Sequence, residues 1–188
     1  MSRFLRKWML VAVALCLFMT GAFFANGNFF PDLASGFSLE SDSLLLMNSE
    51  TIKVEGRSMD PLIRSGSVMT QIRGYYNSSE EVRRGDVVTF YIPSERRLFI
   101  KRVVAIPGDN VTLVDRLLYV NEEPVKTSKG IDYVIDSDFL GALLKLTPIV
   151  PNGSVLVLGE RRRGSMDSSR LGFVPIATLV GKVLLEKQ

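Results

Sequence analysis

The chain contains no histidine, so any acid–base chemistry it performs falls to lysine, a carboxylate, tyrosine or a metal. A Ser–His–Asp triad, a Cys–His dyad and a histidine metal site are excluded. Lysine is the base to test first, and it works near neutral pH only where burial pulls its pKa down from ~10.4. Lys101 alone has continuous apolar flanks, in LFIKRVVAIPGD from Leu98 to Asp109. Strand alternation puts Phe99, Lys101, Val103 and Ala105 on one face, and Leu98, Ile100, Arg102, Val104 and Ile106 on the other. An ammonium among Phe, Val and Ala is unfavourable, and deprotonation relieves it. The competing arrangement is an edge strand whose lysine stem reaches solvent.

A nucleophile belongs where the backbone turns sharply and nearby amides can stabilise an oxyanion. The segment Val54-Glu55-Gly56-Arg57-Ser58-Met59-Asp60-Pro61-Leu62 provides such a place. Gly56 permits an unusual backbone conformation and Pro61 ends regular structure, with Ser58 in the bend between them. Taken alone, the same residues also describe an ordinary serine-containing turn.

Together, EGRSMDPLI and IKRVVAIPGD resemble the type I signal peptidases, a family of membrane-bound serine peptidases. Arg84-Gly85-Asp86-Val87-Val88 resembles the RGD-V-V segment that the family carries between its serine and its lysine. Leu118-Tyr119-Val120-Asn121 is similar to the hairpin strand that comes next, and GERRRGSMDSSRLGFVP, Gly159 to Pro175, resembles the C-terminal box GDNR-x-NS-x-DSR. The resemblance covers most of residues 51 to 185, in order. It implies Ser58 as nucleophile and Lys101 as general base, with Ser165 and Asp167 holding the lysine and the surrounding loop. It implies a mainly β fold, an antiparallel β-sheet catalytic domain behind one N-terminal transmembrane helix. No cofactor and no metal is implied.

The family's substrates are secretory precursors with small side chains at the first and third positions before the cut. Met59, Phe99 and Ile100 flank the dyad and are candidates for the walls of shallow apolar pockets. Several positions depart from the family pattern. Gly56 stands where some relatives carry a serine that donates to the oxyanion, which leaves the Ser58 backbone N–H for that task. Glu160 replaces Asp, Arg161 and Gly164 replace two Asn, and Ser169 stands where Arg is typical, with Arg170 one place later. The run Arg161-Arg162-Arg163 reads as a solvated loop or as a contact for anionic head groups.

The elements that must position these residues begin at a membrane. Trp8 to Ala25, WMLVAVALCLFMTGAFFA, is uncharged and apolar apart from Thr20 and Gly21, near the ~20 residues a bilayer span needs. Arg3, Arg6 and Lys7 precede it, and Asp32, Glu40, Asp42 and Glu50 come after it before any basic residue. By that asymmetry the N-terminus is expected in the cytoplasm and the chain beyond the span on the exported side, and the resemblance then implies a single pass through a bacterial inner or plasma membrane. A cleavable signal peptide has the same grammar, but its apolar region is usually only ~7–15 residues. A cut after Ala25 would also set bulky Phe23 where a small residue is wanted.

The expected organisation is a basic tip over 1–7, an anchor over 8–25, a Gly/Asn/Ser-rich linker over 26–50 and a catalytic domain over 51–188. Without Arg3, Arg6 and Lys7 the basic and acidic residues are equal in number, so a nucleic-acid partner has no broad cationic face to bind. The expected partners are the lipid bilayer and preprotein or prepilin substrates. The single cysteine, Cys16, can form no intramolecular disulfide.

Beyond residue 50, short Val/Ile/Leu/Phe runs between Gly, Pro, Asp and Asn read as strands: Thr51–Glu55, Ser67–Gln71, Asp86–Ile92, Leu98–Ile106, Val111–Val114, Leu117–Val120, Val155–Leu158 and Val180–Leu185. Asp115-Arg116 marks a tight hairpin, and DFLGALLKL a short helix or an amphipathic strand. Three functions fit this reading. They are a general signal peptidase, a specialised relative maturing one substrate such as a conjugative pilin, and a membrane-tethered β domain that binds without catalysing.

Overall fold

The structure is a computed structural model, described over residues 48–77, 81–92, 94–161 and 164–185. The expected tip, anchor and most of the linker lie outside these residues, as do Cys16, Arg162 and Arg163. Among the described residues no helix is long and apolar enough to cross a membrane.

The described residues form ten strands: β1 (Ser49–Lys53), β2 (Val68–Arg73), β3 (Val87–Ile92), β4 (Arg97–Ala105), β5 (Val111–Val114), β6 (Leu117–Val120), β7 (Glu123–Pro124), β8 (Ser154–Leu158), β9 (Val174–Pro175) and β10 (Leu179–Val183). Two helices interrupt them, α1 (Asp138–Leu146) and α2 (Ser168–Leu171). A seven-stranded sheet runs β1-β2-β10-β3-β4-β8-β9 with every pairing antiparallel, and β5-β6-β7 make a second, smaller sheet. The fold is mainly β with antiparallel sheets, as the sequence implies.

Each of the eight expected strands is present, Val111–Val114 and Leu117–Val120 with the expected ends and the others with ends moved by at most two residues. β1 starts at Ser49, inside the expected linker, because its pairing with β2 runs from Ser49↔Ile72 to Lys53↔Val68. Strands β7 and β9 fall outside the sequence reading, being two residues long and carrying no alternation. Asp115 and Arg116 turn the β5–β6 hairpin with φ of 49° and 66°, the positive pair of a two-residue turn whose twist suits the strands. DFLGALLKL is the helix, with Ser137 accepting from the Leu140 amide as N-cap and Leu140 and Leu144 buried one turn apart.

Three apolar clusters fill the domain. Val87, Met59, Ile63, Val54 and Val183 form one beneath the Ser58 turn. Phe90, Val88, Val103, Val155 and Val157 form another, against which Phe99 packs. Val104, Ala105, Leu118, Tyr133, Leu140 and Leu156 join α1 to the small sheet. The expected alternation along β4 holds as far as Val103 and then fails. The register with β8 slips between Val103 and Ala105, so Val104 and Ala105 lie in one cluster while Val103 lies in another. A β-bulge of this kind re-aims the chain by adding a residue to one strand.

Candidate active site

The turn that carries Ser58 lies just beyond β1. Gly56 has φ of 84°, and a Cβ built on it would meet nothing within 4 Å, so the glycine serves backbone shape and leaves the cleft open beside Ser58. Buried Met59 pins the turn to the core from below, and the Met59 carbonyl accepts from the Ile63 amide at 2.8 Å. The Ser58 amide has no hydrogen-bond partner among the described residues. It is therefore free to donate to an incoming oxygen.

Lys101 lies in the middle of β4 and is 2% exposed. Its Nζ donates to Ser58 Oγ at 2.8 Å and to the Ile100 carbonyl at 2.8 Å, and sits 5.8 Å from the centre of the Phe99 ring. Burial pulls its pKa down to about 8, against the opposing pull of the Asp167 charge. Desolvation dominates because it penalises the ammonium directly, while Asp167 makes no direct hydrogen bond to it. An amine deprotonated near neutral pH and in contact with a hydroxyl can remove the hydroxyl's proton as it attacks a carbonyl.

A cleft of ≈ 600 Å³ opens over the pair. Met59, Phe99 and Ile100, the three residues expected as pocket walls, all line it with Ser58 and Lys101, and Ile52 and Met166 line it too. Lys53, Glu55, Arg57, Glu95 and Arg97 also line the cleft, so charged side chains share its walls with the apolar ones.

Ser165 and Asp167 are brought to the site unequally. Asp167 Oδ2 accepts from the Gly159 amide at 3.0 Å, and Oδ1 accepts from the Ser169 amide at 3.0 Å and the Ser169 hydroxyl at 2.7 Å. It therefore holds the loop, and it reaches Lys101 through its charge alone. Ser165 is buried, and its Oγ has no hydrogen-bond partner among the described residues. Ser169, standing where an arginine is typical, holds the aspartate itself, while Arg170 is exposed and makes no ion pair among the described residues. Asp86 and Asp109 do not meet the pair. Asp86 binds Tyr76 and Lys182, and Asp109 binds Arg84 and the Ile106 amide.

Two features escaped the sequence. Glu160 is buried and accepts from Arg102 Nε at 2.7 Å and from the Ser128 amide at 2.7 Å, a fully satisfied carboxylate on the far side of β4 from Lys101. Apolar flanks hide such a pairing, because the partner comes from 58 residues away. The second is Gly159, in the loop whose Arg161 amide donates to the Ser58 carbonyl at 3.1 Å. A Cβ on Gly159 would lie 2.7 Å from that same carbonyl and 2.6 Å from Ser165 Oγ. The carbonyl is backbone and cannot yield without moving the serine. Gly159→Ala is therefore expected to lower kcat/KM at least about tenfold, since small misplacements of reacting groups have large kinetic effects. Steady-state kinetics at temperatures where the variant stays folded check this, and wild-type activity would refute it.

A serine hydroxyl held against a desolvated amine, at the floor of a cleft on an antiparallel β scaffold, has the parts of a serine hydrolase that dispenses with histidine. The family described as signal peptidase, peptidase S26, matches residues 43–186. Signal peptidase I of Bacillus caldolyticus is 34% identical over 69% of this chain and 74% of the relative. Signal peptidase IB of Staphylococcus aureus is 34% identical over 69% and 73% respectively. A crystal structure of a signal peptidase I from Enterococcus faecalis aligns with a TM-score of 0.40 and 24% identity, covering 57% of this chain and 100% of that one. The chain belongs to the signal peptidase family, peptidase S26.

Proposed function

We propose that Ser58 and Lys101 are the nucleophile and general base with which this chain, a serine endopeptidase of the signal peptidase family, cleaves signal peptides from exported preproteins. The observation that carries the assignment is the 2.8 Å contact between Lys101 Nζ and Ser58 Oγ, made by an amine shielded from water.

Neutral Lys101 takes the proton of Ser58 Oγ as that oxygen attacks the carbonyl at the cut, and the Ser58 amide donates to the developing oxyanion. Lys101, now an ammonium, protonates the leaving amine and frees the mature chain's N-terminus. The amine is neutral again and activates the water that hydrolyses the acyl-enzyme. Asp167 keeps the loop against the back of the site. Met59, Phe99 and Ile100 restrict the residue before the cut to a small side chain.

In the same reading residues 8–25 anchor the chain in the bacterial inner or plasma membrane, and the domain from about residue 49 works on the exported face. The purified full chain in detergent is expected to cut a preprotein whose signal sequence ends Ala-x-Ala, giving the mature N-terminus on sequencing. An intact preprotein beside a processed prepilin would mark a peptidase dedicated to one substrate, and neither cleavage would overturn the assignment.

A further inference from the structure

Ser58 and Lys101 come from different segments, and something must hold them at hydrogen-bond distance. Ser58 is buttressed from behind by 159–161, through the Arg161 amide on its carbonyl and the close approach of Gly159. Next to Lys101 in β4 stands Arg102, whose guanidinium binds Glu160, the Lys126 carbonyl at 2.6 Å and the Tyr133 hydroxyl at 3.3 Å. The Tyr133 hydroxyl in turn donates to the Gly159 carbonyl at 2.9 Å. One phenol thus touches both the peptide behind the nucleophile and the side chain next to the base.

Its own mooring is firm. Tyr133 is 2% exposed in the cluster that joins α1 to the small sheet. Its amide donates to the Val125 carbonyl and its carbonyl accepts from the Leu118 amide, while the Arg102 guanidinium lies 5.7 Å from its ring centre. Burial pushes the phenol up to about 12, the nearby Arg102 notwithstanding, so it remains a donor throughout the range in which Lys101 titrates.

We propose that Tyr133 is a positioning residue for the Ser58–Lys101 pair, setting their separation by bridging the Gly159 carbonyl and the Arg102 guanidinium. The inference rests on the assignment of that pair and extends it to a residue from a separate core cluster. It predicts a kinetic role distinct from packing, because Tyr133→Phe keeps the ring in its cluster and removes only the bridge.

The test is cleavage of an Ala-x-Ala preprotein by the full chain in detergent, comparing wild type, Y133F and I135V. Ile135 is buried in the same cluster two residues away, so I135V loosens the core and spares the bridge. Y133F is expected to lower kcat about tenfold or more with KM nearly unchanged. Water admitted to Lys101 should also move the acidic limb of its pH profile to higher pH. I135V, at a matched loss of melting temperature, keeps the wild-type kcat and pH limb. Wild-type kcat and pH limb in Y133F, or equal losses in the two variants, overturn the inference while the dyad stands. Absence of Ser58-dependent cleavage in the wild type overturns the dyad and the inference together.

Discussion

Ser58→Ala and Lys101→Ala are each expected to lower kcat/KM on a preprotein by more than about 10³-fold with folding unchanged. On the proposed assignment Ser58→Ala removes the atom that forms the acyl-enzyme. Lys101→Ala removes the only basic side chain in contact with that atom among the described residues. If the two act as one unit, as proposed, the double variant should be scarcely worse than either single one. Half-buried Ser58 makes the serine substitution structurally mild, whereas Lys101 is almost fully buried and its truncation to alanine leaves a cavity, so Lys101→Met, which refills it, is the companion variant. Single-turnover cleavage in detergent, with circular dichroism to confirm folding, checks the result. Equal activity in wild type and both single variants would end the proposal and favour a tethered domain that binds without catalysing.

Acidity should switch the enzyme off through Lys101. The base must be neutral, its pKa is held to about 8, and kcat/KM reports the free enzyme. The rate should therefore fall about tenfold per pH unit below 8, to roughly 10²-fold below its plateau at pH 6. The same shift bears on stability. Lys101 titrates at about 8 in the folded chain and near 10.5 in the unfolded one, so between these values the unfolded state binds more protons. Stability from this group then rises with pH across that window, and the whole penalty is present below it. At 1.36 kcal/mol per pKa unit the window is worth about 3 kcal/mol.

Lys101→Met abolishes that dependence but also the two hydrogen bonds of the amine, worth about 1 kcal/mol each. The variant should thus be at least as stable as wild type at pH 7 and fall behind it, by about 2 kcal/mol, near pH 10.5. Denaturant titrations at the two pH values check this. A difference between variant and wild type that does not change with pH would show that the amine is not desolvated.

Much of this protein is legible in its residues alone. The absence of histidine shortens the choice of bases, and the ordered resemblance of several segments to the signal peptidases singles out Ser58 and Lys101, each of which taken alone also fits an ordinary turn or edge strand. Period-two runs bounded by turn residues mark eight strands, because alternation and turn chemistry are local properties. The hairpin at Asp115-Arg116 is legible for the same reason.

Other features are not local and cannot be read in this way. The β4 bulge arises from a register slip against β8, and alternation alone carries no register. Arg102 gives no sign that it will find Glu160, and Tyr133 sits in a stretch with no clear period. Ser169 in place of arginine leaves the hold on Asp167 undetermined until its amide and hydroxyl are seen on that carboxylate. The sequence by itself determined which residues were fit to react, since that depends on side-chain chemistry and nearest neighbours. Only the tertiary structure decided that they meet, because the 2.8 Å between amine and hydroxyl and the water kept from them are set by contacts between segments far apart in the chain.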